Sequence, residues 1–179
     1  MRRKILTATA VTGLLGACAA VAEKPFGGPE SVDYSQELWT ALEEANLAGP
    51  DSINSVAYEG QHPHGAVLET LDSTVTVDGH SGDVIVKRNY GGEGVSESKV
   101  ANNPEEWLAA VTVMFRREEG YDPDNDNWFW AKYLPDGSLD TNPKGMELAG
   151  RVAKGMDQGC IACHQNAPGG DYVFNNDRY

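Results

Sequence analysis

Two of the chain's three cysteines stand three residues apart near its C-terminal end, and a histidine follows the second: Cys160-Ile161-Ala162-Cys163-His164. Two thiols on one short turn can form thioether bonds to the two vinyl groups of a single porphyrin, while an imidazole next in sequence rises beneath the iron. Two other chemistries use a Cys-X-X-Cys pair. A redox dithiol sits early in a βαβ unit, and no such unit is present here. A tetrahedral zinc site needs a second ligand pair, and His62, His64 and His80 lie in glycine-rich turn sequence with no helical spacing. The pattern therefore points to one covalently bound haem c, with Cys160 and Cys163 as thioether anchors and His164 as the axial ligand of the iron.

The elements that must position this motif change period along the chain. Ser35 is placed to cap a helix whose apolar residues Leu38, Trp39, Leu42 and Ala45 share a face, ended by Gly49-Pro50. From there to about residue 134 the period is two. Val67–Val77 is rich in β-branched residues. "DVIVKRNY" sets Val84, Val86, Arg88 and Tyr90 against Ile85, Lys87 and Asn89. "VTVMFR" sets Val111, Val113 and Phe115 against Thr112, Met114 and Arg116, and "WFWAKY" sets Trp128, Trp130 and Lys132 against Phe129, Ala131 and Tyr133. Short polar connections make an antiparallel sheet the economical arrangement. After Asn142-Pro143, Met146, Ala149, Val152, Ala153 and Met156 predict a helix that runs to Gly159 and delivers the chain into Cys160. The expected fold is α+β: a predominantly antiparallel sheet, an N-terminal helix and a C-terminal helix leading into the haem motif.

Length and a 40% apolar composition fit one domain. Residues 1–22 read as an export signal, with Arg2, Arg3 and Lys4 before the apolar stretch Ile5 to Gly16. Leu15-Gly16-Ala17-Cys18 resembles a lipobox that would make Cys18 a lipid-anchored first residue; Ala20-Val21-Ala22 fits cleavage after Ala22 instead. Residues 23–34 read as a tether and 35–179 as the haem domain. Both cleavage readings place the domain on the periplasmic side of a bacterial cell envelope, where haem c is assembled. The signal holds three of the 14 Lys and Arg and none of the 27 Asp and Glu, so the remainder is more acidic than the whole chain's −13. Such a surface repels nucleic acid and steers a basic redox partner toward it.

The position of the motif separates cytochrome architectures. Small electron-transfer cytochromes c carry it near the start and draw a methionine ligand from downstream, and no methionine follows His164. A four-helix cytochrome c prime has it near the C-terminus, but the period-2 middle argues against a bundle. A sheet followed by a C-terminal haem motif resembles the cytochrome P-460 family, which includes the beta-type cytochromes c prime. The resemblance spans roughly residues 35–179 and rests on "PHG" at Pro63 to Gly65, "DVIVKRNYG" around Lys87, "VTVMFRREEGYDPDNDNWFWAKY" from Val111 to Tyr133 and "GCIACHQNAPGGDYVFNND" from Gly159 to Asp177. It implies a haem c on the sheet, His164 as the proximal ligand, and an open or weakly filled distal side that takes a small ligand such as NO, CO or hydroxylamine. It also implies homodimers, which nothing else in the sequence supports.

Two branches of that family differ in chemistry. One oxidises hydroxylamine on a haem crosslinked to lysine; the other lacks the crosslink and binds small gases. Lys87 is the candidate for the crosslink, with the solvated face of an edge strand as the competing placement. Where the catalytic branch carries a distal carboxylate, this chain has Thr112, which cannot act as a general base at neutral pH. That departure favours a gas-binding or electron-carrying protein over a hydroxylamine oxidoreductase. Met114, on the same face, is either core or a candidate for the sixth iron position. Arg116, Arg117 and Lys132 are candidates for pairing with haem propionates. Asp122, Asp124 and Asp126 have part of a calcium-loop spacing, but Asn127 and Tyr133 stand where glycine and glutamate are needed, so a polar hairpin tip is expected. Gly169-Gly170 permits a turn that folds Tyr172-Val173-Phe174 over the proximal side of the haem.

Overall fold

The computed structural model of the protein describes residues 24–174. The expected leader, the Cys18 lipobox and the cleavage site after Ala22 lie outside the described residues. Helix α1, Pro29–Glu44, is followed by strands β1 (Tyr58–Glu59), β2 (Val67–Val77) and β3 (His80–Tyr90). Two short helices, α2 (Glu97–Asn102) and α3 (Pro104–Trp107), then lead into β4 (Leu108–Arg116), β5 (Trp128–Tyr133), β6 (Ala149–Gly150) and the motif helix α4 (Cys160–His164). The strands form one six-stranded sheet in sequence order, every neighbouring pair antiparallel. The fold class is α+β, as expected.

The period-2 alternation sorts the side chains onto two faces. Val84, Val86, Val111, Val113, Phe115, Phe129, Ala131 and Tyr133 pack with Leu38 and Leu42 of α1 in the larger core. Met114, Trp128 and Trp130 face the other way and pack with Phe26, Val152, Ala153 and Ile161. The sheet is thus a wall with α1 on one side and the cysteine motif on the other. In the larger core, Tyr133 donates from its hydroxyl to the Ser35 carbonyl at 2.7 Å. At one end of the sheet Glu69 is buried, accepting from Arg88 at 3.2 Å, from the Tyr90 hydroxyl and from the Ser55 amide at 3.1 Å. A buried carboxylate persists only with such saturation of its lone pairs.

Two boundaries differ from expectation. Helix α1 begins at Pro29, not at Ser35, because Pro29 at the first helical position arrives with its φ preset and no amide hydrogen to satisfy. Ser35 is fully buried and donates back to the Val32 carbonyl at 2.6 Å. Residues 25–27, expected in a tether, are tied to the sheet: Gly27 donates to Ala149, Arg151 donates to Pro25, and Phe26 bridges Gly150. The second correction is larger. No helix leads into Cys160, since Ala149 and Gly150 form β6 and Gly150, Ala153, Gly155 and Gly159 all adopt positive φ. Left-handed backbone at four positions is incompatible with a continuous right-handed helix. Ala149, Val152 and Ala153 are buried by strand and turn structure instead, Met156 is left exposed, and the C-terminal helix consists of the motif itself.

Candidate haem site

The motif helix closes one side of a cavity of about 1180 Å³ whose floor is the sheet. That exceeds the roughly 300–1000 Å³ of ordinary small-molecule sites and suits a large planar group. Cys160, Cys163 and His164 line one side; Lys87, Asn89, Thr112, Met114, Trp130 and Lys132 rise from the sheet; Gln61 to Gly65 and Phe174 complete the rim. The three motif residues, close in sequence, therefore line one cavity.

Local geometry explains how the motif is presented. In one helical turn, residues three and four apart share a face, so Cys160, Cys163 and His164 are displayed together. Gly159 enters this turn at φ 121°, and a Cβ there would lie 2.3 Å from the Ala153 Cβ, so the entry requires glycine. Burial pushes the Cys160 thiol up to about 11, so it is neutral at physiological pH. That environment suits an uncharged thioether and does not activate a thiolate for redox exchange. No disulfide joins Cys160 to Cys163, and no cluster of three or more metal-ligating side chains occurs among the described residues.

The chain after the motif folds back over His164. The imidazole Nδ1 lies 2.7 Å from the Tyr172 carbonyl oxygen, which can only accept, so Nδ1 carries the hydrogen and Nε2 carries the lone pair. Trp130 and Phe174 stand nearly edge-on to the ring, with centroids at 4.8 and 5.3 Å. The tail is anchored by the Trp128 indole, donating to the Asp171 carbonyl at 3.0 Å, and by the Tyr172 hydroxyl, donating to the Asp124 carbonyl at 3.1 Å. A histidine whose outer nitrogen is fixed on a carbonyl is the usual state of a metal-bound imidazole, so the residues present fit a haem.

The sheet residues are placed as follows. Lys87 is buried, not solvated: β3 is an interior strand, flanked by β2 and β4, and Lys87 is 8% exposed at the cavity floor. Thr112 is its register partner and donates to the Lys87 carbonyl at 3.3 Å. Met114 is buried beside Trp130 and lines the cavity. Of the three propionate candidates, only Lys132 lines the cavity, where it pairs with Asp140 at 2.8 Å. Arg116 stacks on Trp128 and Arg117 on Tyr34. The Asp122 and Asp124 carboxylates receive the Lys154 ammonium, so the acidic turn is an internal ion-paired tip.

Sequence reasoning passed over His64. It lines the cavity, its ring centroid is 6.2 Å from that of His164, and its Nδ1 is 2.9 Å from Asn89 Oδ1. The only local signal was the "PHG" triplet; the juxtaposition needs the fold. The family model described as Cytochrome P460 matches residues 45–175, which is most of the chain. No curated protein and no solved structure matches it.

Proposed function

Since the chain belongs to the cytochrome P460 family, whose members carry haem, we propose that it is an exported single-haem c-type cytochrome that transfers electrons or binds a small ligand in the cell envelope. Cys160 and Cys163 hold the group through thioethers, and His164 is its axial ligand. The observation that carries this reading is the convergence of all three residues on one large cavity, with the His164 tautomer set by the Tyr172 carbonyl. When bound, haem c supplies a one-electron couple and an iron site for a ligand such as NO or CO.

The chain's own residues do the rest. Tyr172 orients the imidazole and raises its basicity. Trp130, Phe174 and Met114 exclude water, which lowers the local dielectric and tunes the potential. Lys87 and Lys132 bring positive charge to the cavity, which suits the two propionates of the group. The acidic surface favours encounter with a basic redox partner. The test is the intact mass of the protein expressed with haem c maturation factors: wild type gains one haem, and Cys160→Ala with Cys163→Ala gains none.

A second reading, a hydroxylamine or nitric oxide oxidoreductase with a lysine-crosslinked haem, is favoured by the burial of Lys87 at the cavity floor. Thr112 speaks against it, because it offers a hydroxyl where a base would be needed. A red-shifted Soret band that returns to an ordinary haem c position in Lys87→Ala, with hydroxylamine turnover to a dye acceptor, would establish this second reading.

A further inference from the structure

We propose that His64 is the second axial ligand, so that the resting protein carries a six-coordinate, bis-histidine haem; this rests on haem attachment at Cys160 and Cys163. The two imidazole centroids are 6.2 Å apart, with ring planes at 83°. Two imidazoles bound to one metal through bonds of about 2 Å have centres about 6 Å apart, so the observed spacing matches a shared iron. Both rings line the same cavity, on the same side of the sheet as the cysteines.

The hydrogen-bond network around Asn89 fixes the chemistry of His64. The Asn89 amide nitrogen lies 2.9 Å from the Lys87 carbonyl and 3.3 Å from the Ala110 carbonyl, both pure acceptors. Its oxygen accepts the Gly65 amide at 3.4 Å. The amide can therefore point only one way, and its Oδ1 must accept from His64 Nδ1 as well. Neutral His64 thus has its hydrogen on Nδ1 and its lone pair on Nε2, the same tautomer that the Tyr172 carbonyl imposes on His164. Each imidazole is oriented as a metal ligand by an oxygen acceptor behind it.

The loop bearing His64 is held against the sheet by close backbone approaches. A Cβ on Gly65 would lie 2.4 Å from the Tyr90 carbonyl oxygen, and one on Gly60 would lie 2.0 Å from the Gly65 carbonyl oxygen. Both glycines are needed for the loop to lie this close. The competing ligands are placed less suitably. Met114 is packed into the cluster with Trp128 and Trp130, and Lys132 is paired with Asp140. With His64 on the iron, an external ligand must displace it, so electron transfer is favoured over gas binding.

The test uses the full chain expressed with haem c maturation factors, with intact mass reporting attachment and ferric absorption and electron paramagnetic resonance reporting ligation. The expected wild-type ferric form is low-spin. His64→Ala and His64→Gln should become high-spin with one haem still attached, added imidazole should restore the low-spin form of His64→Ala, and His62→Ala and Met114→Leu should stay low-spin. If about a tenth of wild-type molecules have His64 off the iron, CO affinity of the ferrous protein rises about tenfold in His64→Ala. A haem-loaded wild type that is high-spin, or low-spin and indifferent to both His64 variants, overturns the inference while leaving the attachment reading intact. A chain that takes up no covalent haem overturns both.

Discussion

Ending the chain at Gly170 removes the tail that covers His164, and its effect can be worked out from the contacts. Among the described residues, three donors lose their tertiary partners: His164 Nδ1 loses Tyr172, the Trp128 indole loses Asp171, and the Tyr172 hydroxyl, shared between the Asp124 carbonyl and Asn125 Oδ1, is removed. At about 1 kcal/mol net each they amount to about 3 kcal/mol. Loss of the partly buried Tyr172, Val173 and Phe174 contacts adds about 1–2 kcal/mol. The sum, about 4–5 kcal/mol, is a large share of the 5–15 kcal/mol that holds a typical domain together. For a chain of this size it corresponds to a fall in Tm of roughly 10–15 °C. Urea and thermal unfolding of the apoprotein measure the stability term, and haem content with the reduction potential measures the site. The potential should rise, because His164 loses the acceptor that makes it a stronger donor to the metal. Tyr172→Phe keeps the backbone carbonyl, so it should lose only about 1 kcal/mol and leave the potential unchanged. A truncated protein with the wild-type melting point and full haem content would refute the assignment of the tail to the proximal side.

Three further outcomes follow from particular contacts. Glu69→Leu leaves Arg88, 3% exposed, without its carboxylate and should destabilise by about 3–5 kcal/mol, with Arg88→Met on the same background recovering most of it; additive losses in urea unfolding would count against a coupled pair. Gly65→Ala drives a Cβ into the Tyr90 backbone, which cannot yield as a side chain can, so the loop must shift and the ferric protein should lose low-spin character; an unaltered spectrum would mean that His64 does not need this loop position. Alkaline titration tests the sheet core. Burial pushes the Tyr34 hydroxyl up to about 12 and raises those of Tyr90 and Tyr133 further, with the Glu69 carboxylate adding to the effect at Tyr90. Unfolded tyrosines ionise near about pH 10, so above that the unfolded state has lost protons that the folded state keeps. Stability is fully present below about pH 10 and falls, as pH rises toward about 12, by about 4 kcal/mol per pH unit for three groups. Urea midpoints that stay level across that range would contradict the burial of these hydroxyls.

The site was legible in unequal parts. Cys160, Cys163 and His164 are contiguous, so their chemistry needs only one turn to assemble. The grouping of residues by strand face was equally readable, since alternation sets Val113 against Met114 and Ala131 against Trp130 without knowledge of the partner strand; that the first of each pair packs on α1 and the second on the motif side was decided by the fold. The segment before the motif misled because Met146, Ala149, Val152, Ala153 and Met156 carry helical spacing by coincidence. Its four positive-φ positions include Ala153, whose side chain gives no warning of that conformation.

What the sequence determined by itself was the kind of group that can be attached, the antiparallel character of the sheet and which residues of each strand share a face, because these follow from short-range spacing and the two-residue pleat. What only the tertiary structure decided was which residues meet across the cavity. Lys87 is buried because β3 acquires a neighbour on each side, and pairing of distant segments is not encoded in the residues flanking a lysine. His64, in the loop before β2, comes to face His164 across a hundred residues because Asn89 on β3 accepts from its ring and from the next backbone amide. Such long-range contacts arise from strand register and loop closure, which depend on the packing of the whole sheet.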